Sequence, residues 1–142
     1  MKVSSLQCIV CGKSYSNEEI RVKCDCGESL DVIYEKAPNV LWQTLRERPF
    51  NHWRYKEFFP DTKEIITLQE GGTPLIKSRN ISLDNEIFFK YEALNPTGSF
   101  KDRGTTVEIS KALDMSASQV ICASTGNMGA SVAAYAAAAG IK

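Results

Sequence analysis

The stretch Asn95-Pro-Thr-Gly-Ser-Phe-Lys-Asp-Arg-Gly104 decides how the rest of this chain is interpreted. Its first half is rich in turn formers, because Pro96 disfavours a helical conformation for the residue before it and glycine is common in turns. Ser99 is a good helix N-cap, and Asp102 stands where a capping box has its acidic member. We therefore predict a helix from about Ser99 to Met115. The residues expected along one face of this helix are Phe100, Gly104, Val107, Ala112 and Leu113.

Lys101 occupies an unusual place in this predicted helix. The helix dipole disfavours a cation in the first turn, and shielding from water would further favour the neutral amine. A neutral lysine amine can form a Schiff base with a carbonyl compound or with pyridoxal phosphate. The alternative is a surface lysine whose charge is balanced by the neighbouring Asp102. The position of Lys101 by itself leaves both interpretations open.

The composition is that of a globular protein without a strong charge bias. Of the 142 residues, 43% are apolar and 24% are charged, and 17 basic residues balance 17 acidic ones. This balance gives no indication of nucleic acid or of an anionic membrane surface as a partner. The first ten residues contain no long apolar run, so we expect no signal peptide, no membrane span and a cytoplasmic protein.

Four of the five cysteines form two close pairs near the N-terminus. Cys8 and Cys11 are spaced C-x-x-C, and Cys24 and Cys26 are spaced C-x-C. Four thiolates in two such pairs predict a structural zinc site that all four cysteines fill, on a small ribbon of short strands that include residues 30–34. The C-x-C spacing is tighter than the usual two to four intervening residues. A unit of this size has little core, so the metal would supply much of its stability.

The second half of the chain alternates between predicted strands and helices. Residues 87–92 and 119–123 have the apolar and aromatic character of strands. The second of these leads into the loop Ser124-Thr-Gly-Asn-Met-Gly129, which precedes an alanine-rich helix over about 130–139 that ends at Gly140. Alternation of this kind predicts parallel strands covered by helices.

Two loops would then lie at one edge of the predicted sheet. Ligands of open α/β sheets bind at the carboxyl ends of the strands, so we expect Lys101 and the loop of residues 124–129 to face one cleft. The loop carries hydroxyl groups and lies at a helix N-terminus, which suits an anion. Asn127 could hydrogen-bond a ring oxygen or a carboxylate there.

These motifs resemble those of the threonine synthases, pyridoxal-phosphate enzymes of fold type II. The resemblance rests on the lysine stretch and on Ser124-Thr-Gly-Asn127, and it extends to the paired cysteines, to Glu70–Leu75 and to Trp53-Arg-Tyr55. It covers nearly the whole chain, although related β-eliminating and β-replacing enzymes share the Ser-Thr-Gly-Asn loop. We therefore expect an α/β protein with an N-terminal zinc-ribbon-like β unit (1–36), a linker and domain entry segment (37–78) and the start of a parallel αβα domain of fold type II (79–142).

The resemblance implies a role for each candidate residue. Lys101 would bind pyridoxal phosphate through a Schiff base and then serve as general base and acid. Asn127 would hydrogen-bond the 3′-hydroxyl of the cofactor, and Ser124 and Thr125 would receive the α-carboxylate of the substrate. The implied reaction, a lyase reaction of threonine biosynthesis, converts O-phosphohomoserine and water to threonine and phosphate. A homodimer of the complete protein is compatible with this resemblance.

The chain is much shorter than the enzymes it resembles. It lacks the later glycine-rich loop that holds the cofactor phosphate and the partner domain that closes the cleft. We therefore expect an N-terminal fragment, truncated and inactive alone. Two alternatives stay open: another fold type II lyase, of the cysteate-forming or diaminopropionate type, and a zinc-ribbon interaction module without enzymatic activity.

Overall fold

A computed structural model describes residues 1–81 and 85–142. Residues 82–84, which belong to the predicted 79–142 part, lie outside the described residues. The described chain forms two compact units, one of residues 1–41 with 57–61 and the other of residues 42–56 with 62–142. The division into parts at residues 36 and 78 stays a prediction.

The first unit contains a three-stranded antiparallel sheet. Its strands are β1 (Val3–Cys8), β2 (Ser14–Ser16) and β3 (Leu30–Tyr34), in the order β2-β1-β3. The predicted strand over residues 30–34 is thereby confirmed. The buried apolar cluster of this unit consists of Cys8, Tyr15 and Cys24, with Leu6 and Leu30 packed against it. Such a small core supplies little hydrophobic stabilisation.

The second unit is mainly helical. Its helices are α1 (Trp42–Glu47), α2 (Lys101–Asp114) and α3 (Asn127–Ala139), with a 3₁₀ helix at Glu92–Leu94. A further 3₁₀ helix, His52–Phe58, begins in this unit, and its last two residues belong to the first unit. Helices α2 and α3 pack on each other, and the buried apolar cluster consists of Ile66, Ile109, Tyr135 and Ala136. Helix α3 ends at Gly140 in a left-handed conformation, as predicted. None of the described helices is both long and apolar enough to cross a membrane.

The buried face of α2 differs from the predicted one. Phe100 is 56% exposed, and Gly104 also lies at the surface. The residues that α2 buries are Asp102, Thr105, Thr106, Ile109 and Ser110. This mostly polar face can be buried because its groups find partners: Thr106 donates to the Ile66 carbonyl at 2.6 Å, and Ser110 accepts the Ile66 N–H at 2.9 Å.

The predicted pair of parallel strands is not present among the described residues. The first predicted strand corresponds to β5 (Phe88–Lys90), which pairs antiparallel with β4 (Leu75–Lys77). Residues 119–123 form no strand, so that prediction is wrong. Among the described residues, the long-range backbone hydrogen bonds at this segment run from the Val120 N–H to the Lys142 carbonyl and, just before the segment, from the Lys142 N–H to the Ser118 carbonyl. A single facing residue does not make a ladder, and Ile121 is 91% exposed.

Candidate functional site

The second unit contains a cleft that brings the predicted site residues together. Its volume is about 820 Å³, and it is lined by Lys101 and by the continuous run Ala123–Met128. Lys101 therefore lines the same space as Ser124, Thr125 and Asn127, as the sequence predicted. The juxtaposition is observed, whereas the role of each residue stays a prediction.

Lys101 is the first residue of α2 and is partly exposed. Its backbone N–H donates to Ser99 Oγ at 3.3 Å, and its Nζ lies 4.6 Å from the centre of the Phe100 ring. Among residues 1–81 and 85–142, no carboxylate forms an ion pair with this amine. The interpretation in which Asp102 balances the charge of Lys101 is therefore not supported, because Asp102 is fully buried and bonds to other groups.

Asp102 connects the two elements that border the cleft. Its carboxylate accepts the Thr97 backbone N–H at 2.8 Å and also the Thr97 hydroxyl, both from the turn that precedes α2. The oxygen that accepts the Thr97 hydroxyl also accepts the hydroxyl of Ser131 at 2.6 Å, one turn into α3 from Asn127. Asp102 and Ser131 are both completely buried. The carboxylate thus ties the helix that begins with Lys101 to the helix that begins with Asn127.

The loop before α3 presents polar groups to the cleft. Ser124, Thr125 and Asn127 are all exposed, and Ser124 Oγ accepts the Gly126 N–H at 3.1 Å. Helix α3 begins at Asn127, so its unpaired backbone N–H groups and the positive end of its dipole are directed at the same space. Such a loop can bind an anionic group such as a carboxylate.

A second polar network holds the segment Glu70–Leu75 against the lysine stretch. Arg103 donates to Glu92 through Nε at 2.7 Å and through Nη2 at 2.8 Å, and its hydrogen bond to the Glu92 carboxylate lowers the pKa of Glu92 to about 2. Asn95 accepts the Gly71 N–H at 2.9 Å and donates to the Glu92 side chain at 3.0 Å. Asn95, predicted only as a turn residue, is thus a buried crosslink between two distant segments.

The supporting roles of Asp102, Ser131, Glu92 and Arg103 were not predicted from the sequence. Asp102 was expected to act locally, within the first turn of its own helix. Its contact with Ser131 lies 29 residues away in sequence. No local pattern indicates such a contact, although the two charged residues directly after Lys101 were a usable signal.

In the first unit, the four cysteines of the two predicted pairs form one cluster. Their sulfur atoms all lie within 4.8 Å of one another. The sulfurs of Cys8 and Cys26 are 3.6 Å apart, those of Cys11 and Cys24 are 3.5 Å apart, and those of Cys11 and Cys26 are 3.8 Å apart. Each of the two shortest contacts joins a cysteine of the C-x-x-C pair to a cysteine of the C-x-C pair, so the fold brings the two segments together.

The cysteine cluster has one sulfur that already favours the thiolate. The hydrogen bond from the Tyr15 hydroxyl, followed by that from the Cys26 backbone amide, lowers the pKa of Cys24 to about 6. The Tyr15 hydroxyl lies 3.0 Å from the Cys24 sulfur, and both residues are buried. Tyr15 gave no signal in the sequence, because its importance depends on the pairing of β1 with β2.

Comparison with known proteins finds a matching family model and several similar proteins. Residues 66–142 match the family model described as pyridoxal-phosphate dependent enzyme. The chain is 45% identical to the threonine synthase of Methanocaldococcus jannaschii and 43% identical to that of Methanosarcina acetivorans, in each case over 96% of its own length. It is 58% identical to the threonine synthase of Mycobacterium tuberculosis over 61% of its length.

The chain spans about a third of the length of the two archaeal relatives, 36% and 35% respectively. The predicted resemblance to the threonine synthases is confirmed, and the mixed α/β structure fits it. The match to the family model includes Lys101 and the loop of residues 124–129. The chain belongs to the pyridoxal-phosphate dependent enzyme family.

Proposed function

We propose that the complete protein is a lyase of the threonine synthase type, which converts O-phosphohomoserine and water to threonine and phosphate. The observation that carries this proposal is the cleft that Lys101 lines together with Ser124, Thr125 and Asn127. The names of the relatives, all threonine synthases, support the choice of reaction. The substrate is thus a small phosphorylated amino acid.

The lining of the cleft fits pyridoxal phosphate. A volume of about 820 Å³ lies in the range of small-molecule sites, and the residues supply an amine, an amide and two hydroxyl groups. When bound, the cofactor supplies an electron sink for negative charge that develops on the substrate carbon. The Lys101 amine, without a carboxylate partner among the described residues, is available to bond the cofactor aldehyde.

Residues of the chain itself orient the cofactor, bind the substrate carboxylate and transfer protons. Asn127 orients the cofactor ring by a hydrogen bond from its side-chain amide. Ser124, Thr125 and the N–H groups at the start of α3 bind the substrate carboxylate, which the helix dipole favours. The Nζ of Lys101 carries protons to and from the substrate carbons.

Residues 1–142 by themselves are proposed to lack turnover. Ser124, Thr125 and Asn127 are exposed and Lys101 is only partly buried, so the cleft is open to water. A ligand site normally encloses most of its ligand, and exclusion of water strengthens the electrostatic interactions that catalysis needs. The described residues cover one side of such a site only.

We propose further that Cys8, Cys11, Cys24 and Cys26 bind one structural zinc ion in a ribbon-like unit. In a tetrahedral site with zinc–sulfur bonds of about 2.3 Å, neighbouring sulfurs are about 3.8 Å apart. The observed separations of 3.5, 3.6 and 3.8 Å are close to this value. Metal content is measured on the reduced protein, and the expected result is one zinc ion per chain.

The enzymatic proposal is tested by borohydride reduction of the complete protein after incubation with pyridoxal phosphate. Peptide mass mapping should find the pyridoxyl group on Lys101 and not on Lys111, which lies on the same helix. Labelling spread evenly over surface lysines would contradict the assignment. Release of phosphate with threonine from O-phosphohomoserine then identifies the reaction, whereas labelling of Lys101 without this turnover favours another lyase of the family.

A further inference from the structure

Tyr15 is the side chain of the first unit that most directly supports the cysteine cluster. It lies in the middle of β2 and is 8% exposed. Its hydroxyl oxygen accepts the Asp25 N–H at 3.0 Å and lies 3.0 Å from the Cys24 sulfur. Because the oxygen accepts from Asp25, the hydroxyl hydrogen remains available to donate to the sulfur.

We propose that Tyr15 is a positioning residue of the metal site: its hydroxyl donates a hydrogen bond to the Cys24 thiolate and thereby sets the affinity of the cluster for a thiophilic divalent cation. This inference rests on the metal site proposed above, and it adds a group that is not itself a ligand. Residues that hydrogen-bond a metal ligand orient it and tune its donor strength.

The need for such a donor follows from charge and burial. Four thiolates around a divalent cation carry a net charge of about −2, and charge in a buried place requires hydrogen bonds or counter-charges. Water can solvate the exposed sulfurs of Cys11 and Cys26, whereas Cys24 is 5% exposed. Among the described residues, Tyr15 provides the one side-chain hydroxyl that contacts a cysteine sulfur of the cluster.

Neighbouring cations fix the Tyr15 ring and add positive charge near the cluster. The Arg21 guanidinium lies 4.1 Å from the ring centre, and the Lys13 amine lies 5.4 Å from it. Both cations are also paired with Asp25, Arg21 at 2.7 Å and Lys13 at 2.6 Å. These contacts hold the ring in one orientation, which directs its hydroxyl at the Cys24 sulfur.

The test compares Tyr15→Phe with Tyr34→Phe in the full chain. Tyr34 lies in β3 of the same unit, and its hydroxyl bonds none of the described cysteines. Each reduced protein is titrated with cobalt(II), and its zinc affinity is measured by competition with a chelator. Tyr15→Phe should bind zinc about tenfold more weakly than the unsubstituted chain. Its sulfur-to-cobalt charge-transfer band should move to longer wavelength, because the lone pairs of the thiolate rise in energy without the hydrogen bond. Tyr34→Phe should change neither quantity.

Each other outcome overturns the inference in a distinguishable way. If Tyr15→Phe binds both metals as the unsubstituted chain does, the metal site stands and the role of Tyr15 is refuted. If its affinity falls while the charge-transfer band stays in place, Tyr15 acts through packing and the hydrogen bond is not responsible. If no variant binds either metal, the proposed metal site itself is wrong.

Discussion

Replacing Asp102 with asparagine tests whether one buried carboxylate holds the two sides of the cleft together. The substitution keeps the size and shape of the side chain and removes its charge. The two oxygens of Asp102 receive three hydrogen bonds, two from Thr97 and one from Ser131. Asparagine offers one oxygen, which can accept the Thr97 N–H, so its amide nitrogen would face the Thr97 and Ser131 hydroxyls and both would have to turn to accept.

The expected loss of stability follows from these three contacts. A hydrogen bond to a charged acceptor contributes about 1 kcal/mol more than one to a neutral acceptor, so three bonds give a loss of about 3 kcal/mol in the free energy of unfolding. With a urea dependence of about 2 kcal/mol per molar, the unfolding midpoint should fall by about 1.5 M.

Tryptophan fluorescence is a suitable probe, because both tryptophans, Trp42 and Trp53, lie in the second unit. The control is Glu108→Gln, which removes one negative charge from an exposed position of the same helix. It should change the free energy of unfolding by less than about 0.5 kcal/mol. If Asp102→Asn and Glu108→Gln give midpoints that agree within error, the connecting role of Asp102 is refuted.

Two further predictions concern the network around Glu92 and the turn at Gly72. The pKa of Glu92 is lowered from 4.5 to about 2 by Arg103, so its stabilisation is complete above pH 4.5 and is lost as the pH falls towards 2. After allowance for its partial exposure, we expect ionised Glu92 to contribute about 1–2 kcal/mol to the free energy of unfolding. When the stability of Glu92→Gln is measured as the pH is lowered, this loss should be absent. Gly72 has φ +62°, and an added Cβ would lie 1.9 Å from the Phe50 carbonyl oxygen. Gly72→Ala should therefore cost about 3 kcal/mol or more in thermal unfolding, whereas Gly104→Ala, which meets nothing closer than 3.8 Å, should be neutral or stabilising.

Local signals predicted helices α2 and α3. The alanine-rich run and Gly140 gave the end of α3 to the residue, because a helix closes its hydrogen bonds within four residues and its cap depends on the next one. The lysine stretch placed Lys101 at the start of α2. The spacing of the cysteines indicated their cluster in the same way.

Non-local interactions account for the predictions that were wrong. A strand needs a hydrogen-bonded partner elsewhere in the chain, and among the described residues the long-range backbone hydrogen bond of residues 119–123 is the one from Val120 to Lys142. Of the α2 residues expected on one buried face, Leu113 packs against the core, but Phe100 and Gly104 are exposed. Helix α2 instead buries a more polar face, part of which bonds to Ile66. Pattern alone could not identify that face, since burial of a hydroxyl or carboxylate is tolerated only where a distant group completes its hydrogen bonds.

The amino-acid sequence by itself therefore determined which residues could perform chemistry: an amine at a helix start, a polar loop before a second helix, and two pairs of thiols. The tertiary structure alone decided that Asp102 reaches Ser131 and that Tyr15 reaches Cys24. The physical reason is the distance along the chain over which each kind of interaction forms. Caps, turns and helix bonds are completed within a few neighbouring residues, whereas the groups that orient a site come from segments that only folding brings together.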